Sequence, residues 1–269
     1  MAEDLLLQDM AFGFVRVAPR AVKPRESGLT ICADRGLGMN RVADLLETSK
    51  EYIDFIKIGK GSYRLQTEEF LKGKIAAYKK AETRVFIAGD TSEAAFMQGV
   101  SGQFYKKVKQ LGADGVEVSS AQISMSLRDK CELIKMAAAE KLKVVAEVGQ
   151  KGNETWTAAG KYIMSQIKAY QKAGAWKVLI QGEGVSEDVE LIKGGFIINL
   201  VAEFGIDGFI FQAKNSAAQE WFVANLGNAV NLDVYDDQVI DLELMRRGIR
   251  KRGVFGLVGS LGPDSGPRA

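Results

Sequence analysis

The chain has 269 residues, with 36 Lys plus Arg against 34 Asp plus Glu, a formal net charge of +2 and no histidine. A composition of 46% hydrophobic and 26% charged residues with only four prolines is globular, and the near-neutral balance argues against a dedicated nucleic-acid binder. Without histidine there is no Ser-His or Cys-His nucleophile pair, no imidazole acid or base and no His-ligated zinc, so lysines, carboxylates, hydroxyls and backbone must carry any chemistry.

Cys32 and Cys131 lack the paired spacing of a zinc or redox motif and read as buried thiols. Leu5, Leu6 and Leu7 are flanked by Asp4 and Asp9 rather than by a basic segment, and no apolar run reaches the roughly 18 residues of a membrane span. A cytoplasmic protein with no membrane partner is expected.

Behind a lead of residues 1–27 containing Pro19 and Pro24, short β-branched runs alternate with longer segments of helical period. The runs cover 29–33, 53–58, 84–88, 115–118, 143–148, 177–181, 208–212 and 229–232. The helical segments cover 42–50, 68–80, 104–111, 127–140, 158–173, 188–203, 217–226 and 238–247. Eight such alternations predict an α/β fold, a single (β/α)8 TIM barrel over 28–253, followed by a Gly/Ser/Pro tail at 254–269 expected to be disordered. Gly112, Gly174, Gly205 and Gly227 stand where helices stop. An open doubly wound sheet is the competing layout, but Asp34-Arg35-Gly36-Leu37-Gly38 lacks the glycine spacing of a dinucleotide turn. Phe104, Met125, Met136, Tyr162, Trp221 and Phe222 recur at helical spacing and read as core, and the basic run 246–252 as a helix end that favours cations.

In a barrel the chemistry sits where strands end, so the residues closing each run matter most. They are unusually charged: Asp34-Arg35, Lys57 with Lys60, Asp90, Glu117, Glu147 with Lys151, Gln181, Gln212 with Lys214, and Asp233. A charge inside an apolar run is costly unless it points into a polar site, and Lys57, Glu117 and Glu147 all occupy such positions. Carboxylates from several strand ends suit a hard divalent cation such as Mg²⁺, and the lysines and arginine suit an anionic substrate. Glycines at 59, 61, 149, 182 and 184 allow close backbone approach to that anion, and Asn215-Ser216 reads as a helix cap.

The strand-end strings, in this order, resemble the phosphosulfolactate synthase family. The resemblance is carried by Asp34-Arg35-Gly36, Tyr52 to Lys57 followed by Gly59 and Gly61, Glu117-Val118-Ser119, Glu147-Val148-Gly149 with Lys151, Val230-Asn231-Leu232, and Leu244 to Arg250. It implies a Mg²⁺-dependent lyase of coenzyme M biosynthesis that adds sulfite to phosphoenolpyruvate, giving 2-phospho-3-sulfolactate. By that match Lys151 is the general acid, while Asp34, Glu117 and Glu147 hold or surround the metal. Lys57 and Arg35 meet the anionic substrate, with Lys60, Gln181, Gln212 and Lys214 beside them. A homo-oligomer such as a trimer is also implied.

The chain departs from the family pattern at Gln181 and Gln212, where glutamates are usual, and at Gln150, which replaces a lysine. Asp90 and Asp233 are acidic where the pattern is not, which makes Asp90 a further metal candidate and a rearranged site an expectation. Two alternatives follow: a retuned member that joins another nucleophile to another unsaturated acid, and a non-catalytic stress-protective homologue.

Overall fold

The computed structural model describes residues 10–15, 17–149, 160–183, 185–187 and 190–256. Eight parallel strands close into a barrel in chain order. They are β1 (Thr30–Asp34), β2 (Phe55–Ile58), β3 (Arg84–Ile87), β4 (Gly115–Val118), β5 (Lys143–Val148), β6 (Lys177–Ile180), β7 (Phe209–Gln212) and β8 (Leu232–Tyr235). The helices are α1 (Met39–Ser49), α2 (Glu68–Lys80), α3 (Asp90–Met97), α4 (Ser101–Gln110), α5 (Leu127–Ala139), α6 (Gly160–Ala173), α7 (Gly194–Phe204), α8 (Ser216–Leu226) and α9 (Val239–Arg246). The expected barrel is therefore the observed one.

Several element ends shift from expectation, α7 most, since it begins at Gly194 rather than 188, and two further differences bear on the barrel mouth. Strand β8 begins three residues later than the 229–232 run, because Asp233 lies within the strand, paired across to Ile31, instead of ending it. After β3 an extra short helix, α3, starts at Asp90, where strand-end loop is expected. Its eight residues carry too little apolar periodicity to stand out from the longer helix that follows.

Strand alternation splits the core into two layers. Side chains facing outward, such as Cys32, Ile56, Val85, Val116 and Val178, join the helices in the larger cluster. Those facing inward at the lower level, Leu29, Ile31, Phe55, Phe86, Val145, Leu179 and Ile210, form a separate plug inside the barrel. Two residues further along each strand the inward positions become Ala33, Lys57, Ala88, Glu117, Glu147, Gln181, Gln212 and Asp233. The apolar plug thus floors a polar mouth.

Helix ends follow their local chemistry. Thr67, Ser126 and Asn215 accept hydrogen bonds from the backbone N–H groups of Phe70, Asp129 and Ala218 and so cap α2, α5 and α8. Gly112, Gly174, Gly205 and Gly227 all take positive φ where helices stop, as expected.

The opposite face is sealed by arginines. Buried Arg246 donates to the carbonyls of Gly28, Leu29 (3.1 Å) and Val230 (2.9 Å), and Arg20 donates to Asn228 and Gly28, both at 2.9 Å. Arg25 pairs with Asp54 at 3.0 Å and Arg247 with Glu243 at 2.8 Å. The start of the basic run is therefore interior, not an exposed helix end, and Arg20 and Arg25 of the N-terminal lead belong to the barrel's base.

Among the residues expected in the core, Phe222 is buried, and Phe104, Met125 and Trp221 pack partly buried against it. Met136 and Tyr162 are exposed, since they lie on the outer faces of α5 and α6, and Cys131 is only half-buried while Cys32 is fully enclosed. The tail beyond 256 lies outside the described residues.

Candidate active site at the barrel mouth

A cavity of about 170 Å³ opens at the C-terminal ends of the strands, and its walls include Arg35, Lys57, Lys60, Asp90, Glu117, Glu147, Gln181, Gln212 and Lys214. Nine of the eleven residues expected at the site are thus brought together. Lys151 lies outside the described residues.

Asp34 is the exception, and its geometry corrects its expected metal role. It follows inward-facing Ala33 on β1, so strand alternation turns it outward, toward α2. There one carboxylate oxygen accepts from the N–H groups of Gly36 (2.8 Å) and Leu37 (2.7 Å), and the other from the Tyr78 phenol at 3.0 Å. The second oxygen also lies 3.0 Å from Lys74 Nζ, with both side chains fully buried. Asp34 is a strut between β1, its following turn and α2.

Across the mouth runs an alternating chain of charges. Lys57 Nζ sits 2.7 Å from Glu117 Oε2 and 3.1 Å from Asp233 Oδ2, and Asp233 Oδ1 takes the ammonium of Lys214. Asp233 is fully buried. Burial alone would raise its carboxyl, but Lys214 and Lys57 outweigh that and hold it below the usual range. Burial likewise pulls Lys57 down, yet Asp233, Glu117 and Glu147 reverse the effect and raise it. Lys214 ends lowered, since burial and the neighbouring Lys57 exceed the help of Asp233. Asp233 is therefore a clamp that keeps two ammonium groups side by side, not a free ligand.

The carboxylates differ in what they hold. Glu117 Oε1 accepts from the Gly89 N–H at 3.0 Å. A Cβ on Gly89 would fall onto the Ser119 hydroxyl and within 3.1 Å of Glu117 Oε1, so only glycine allows that approach. Glu147 accepts no hydrogen bond from the described residues at its carboxylate, and burial, then the nearby Glu117, pushes it well above the ordinary carboxylate range. Gln181 is buried with its amide oxygen unpartnered. Asp90, at the start of α3, accepts from Gln122 at 2.9 Å.

At the rim Arg35 stacks over the Tyr235 ring at 3.9 Å and reaches Asp236 at 3.4 Å, while Lys214 lies 4.9 Å from the same ring. Lys60 is exposed, with positive φ. Gln212 donates to Glu187 at 3.4 Å, and Glu187 also accepts the Lys214 backbone N–H.

Several residues were not expected. Glu93 of α3 lines the cavity and pins the loop after β4, accepting from the N–H groups of Ala121 (3.0 Å), Gln122 (3.0 Å) and Ile123 (3.1 Å) and from the Ser119 hydroxyl. Its spacing of three from Asp90 was the available signal. Tyr235 lines the cavity too, at the end of a strand that the 229–232 run does not reach. Lys130, buried behind β5, donates to the Glu147 carbonyl at 2.6 Å and to Ser120 at 2.8 Å, and burial lowers its ammonium. It shares the apolar face of α5 with Leu133, Ile134 and Ala137, a lysine at a core position being the visible clue.

Among the described residues no three acidic or cysteine side chains converge as a ready metal cage. Glu117, Glu147 and Gln181 nevertheless line one cavity, the last two without a hydrogen-bond partner on their side-chain oxygens among the described residues, and Mg²⁺ commonly rests on one or two carboxylates plus water and substrate oxygens. These oxygen-bearing side chains are the ones that could hold such an ion.

A barrel with cations and carboxylates gathered at its C-terminal mouth has the layout of the (β/α)8 enzymes. The family model described as (2R)-phospho-3-sulfolactate synthase (ComA) matches residues 18–252, and the chain belongs to this phosphosulfolactate synthase family. The phosphosulfolactate synthase of Methanocaldococcus jannaschii is 31% identical over 84% of this chain and 93% of its own length. That of Methanothermobacter thermautotrophicus is 29% identical over 89% and 96%. Protein HEAT-STRESS-ASSOCIATED 32 of Arabidopsis thaliana is 24% identical over 84% of this chain and 88% of its own. Among solved structures, KGPDC from Streptococcus mutans superposes with a TM-score of 0.53 at 13% identity, covering 79% of this chain and 89% of that one, a likeness of fold. Among the described residues no helix is long and apolar enough to cross a membrane.

Proposed function

We propose that the mouth catalyses the Mg²⁺-dependent addition of sulfite to phosphoenolpyruvate, forming the carbon–sulfur bond of 2-phospho-3-sulfolactate. The observation that carries this reading is the Lys57–Asp233–Lys214 clamp set against Glu117 and Glu147 in a chain that belongs to the phosphosulfolactate synthase family. Two anions must meet in this reaction, and a pair of ammonium groups fixed by one buried carboxylate lowers that repulsion before either arrives.

The sulfite sulfur uses its lone pair on the methylene carbon, and the carbon–carbon π pair moves toward the carboxylate as an aci-carboxylate. Mg²⁺ held by Glu117, Glu147 and Gln181 would supply a Lewis acid for the charge that builds on those oxygens. Lys57 and Lys214 offer N–H donors to the same region, and Arg35 and Lys60 draw the phosphate to the rim. A proton then reaches the neighbouring carbon, a role this reading gives to Lys151. The double bond and one proton are consumed, and no group leaves.

The test is to incubate the purified chain with Mg²⁺, phosphoenolpyruvate and sulfite and follow a phosphorylated sulfonate by ³¹P NMR, with a metal-free control. Product that disappears in Lys151→Ala, with an unchanged circular dichroism spectrum, supports the reading. A second reading, a different unsaturated acid as substrate, is favoured by Gln181 and Gln212, which line the mouth where family glutamates are usual. Absence of the sulfonate together with saturable binding of another unsaturated acid would select it.

A further inference from the structure

A second cavity, of about 300 Å³, lies outside the barrel between α2, α4 and the turn Ser62–Leu65, and it shares no lining residue with the mouth. Its floor is apolar, made by Leu71, Ile87, Phe104 and Val108. That volume, an apolar floor and a few polar groups at one side are the marks of a small-molecule site.

The polar groups are of both kinds. Gln66 lines the cavity, and its amide oxygen is buried and has no partner, an acceptor without a donor. Glu68 beside it adds a carboxylate, held by Lys72 at 2.8 Å and Lys107 at 2.9 Å. On the donor side, Arg64 is exposed and has no partner among the described residues, and Lys107 has further N–H groups beyond its bond to Glu68. An apolar acid would satisfy the cations and leave Gln66 unpaired, whereas an apolar amine would do the reverse.

We propose that this cavity binds a free apolar α-amino acid, with its side chain on the Leu71–Val108 floor, its ammonium toward Gln66 and Glu68, and its carboxylate toward Arg64 and Lys107. Both charged ends of one small ligand are needed to use both sets of groups. The site stands apart from the mouth chemistry, so it holds whatever that reaction is.

Isothermal titration of the full chain with L-phenylalanine and L-leucine tests it, against 3-phenylpropanoate and 2-phenylethylamine, which each lack one charged group. Saturable binding of an amino acid, weakened about tenfold or more by loss of either group and by Arg64→Ala, is expected, with Val108→Trp filling the cavity and abolishing it. Arg64 is exposed, so that variant remains decisive if Val108→Trp fails to fold. No binding of either amino acid at millimolar concentration overturns the proposal. So does equal binding of phenylpropanoate, or wild-type affinity in Arg64→Ala.

Discussion

Replacing Asp34 with asparagine tests whether this residue is a strut or a metal ligand. The substitution leaves the Lys74 ammonium fully buried 3.0 Å from a neutral amide, and places an NH₂ group or a weakened acceptor against the Tyr78 phenol and the N–H groups of Gly36 and Leu37. Breaking a buried pair by removing one partner costs about 3–5 kcal/mol. For a chain of this size that corresponds to a fall in Tm of roughly 6–20 °C. Lys74→Met alone should cost a similar amount, since it strands the carboxylate. The double variant should lose clearly less than the sum, because both charges leave together. Thermal unfolding followed by circular dichroism gives the three values, and Mg²⁺ titration of folded Asp34→Asn should match wild type. A variant that keeps its Tm but loses Mg²⁺ binding would refute the argument and return Asp34 to the metal.

Asp233→Asn should destabilise by about 3 kcal/mol, because two largely buried ammonium groups lose their shared partner and only Lys57 keeps another, Glu117. The Asp233 carboxyl lies below its ordinary 3.8 in the fold, so its contribution is complete above that value and is lost as pH falls through the folded one. The Tm gap between wild type and Asp233→Asn should therefore be widest near neutrality and close in strong acid, and a gap independent of pH would contradict the clamp. Gly89→Ala should cost about 1–3 kcal/mol and displace Ser119 and Glu117, read as a lower Tm together with weaker Mg²⁺ binding. Lys57→Met should raise the KM for phosphoenolpyruvate more than tenfold, roughly the value of one charge-assisted hydrogen bond, in steady-state assays of the proposed reaction. An unchanged KM would remove Lys57 from substrate binding.

Much of this layout was legible from residues alone, for physical reasons. Lys57, Glu117 and Glu147 interrupt apolar runs at alternating positions, and burying such charges is tolerable only if they face one another. Position at a strand end does not by itself give Asp34 its direction, because strand parity decides it: Ala33, not Asp34, takes the inward turn. Strand β8 was displaced because a carboxylate inside a four-residue strand looks like a terminator until the two lysines that neutralise it are seen, and these lie 176 and 19 residues away in sequence. Glu93 and Lys130 carry weaker signals, a spacing of three from Asp90 and a lysine at a core position, because they hold mainly backbone groups and hydroxyls at the ends of β4 and β5, which a side-chain pattern does not announce.

The arginine seal at the base bears on how the chain assembles. One carbonyl, that of Gly28, receives guanidinium groups from residue 20 and residue 246. The ring therefore cannot lock until residue 246 has emerged from the ribosome, and cutting away either flank should open the cylinder from beneath while leaving every strand intact.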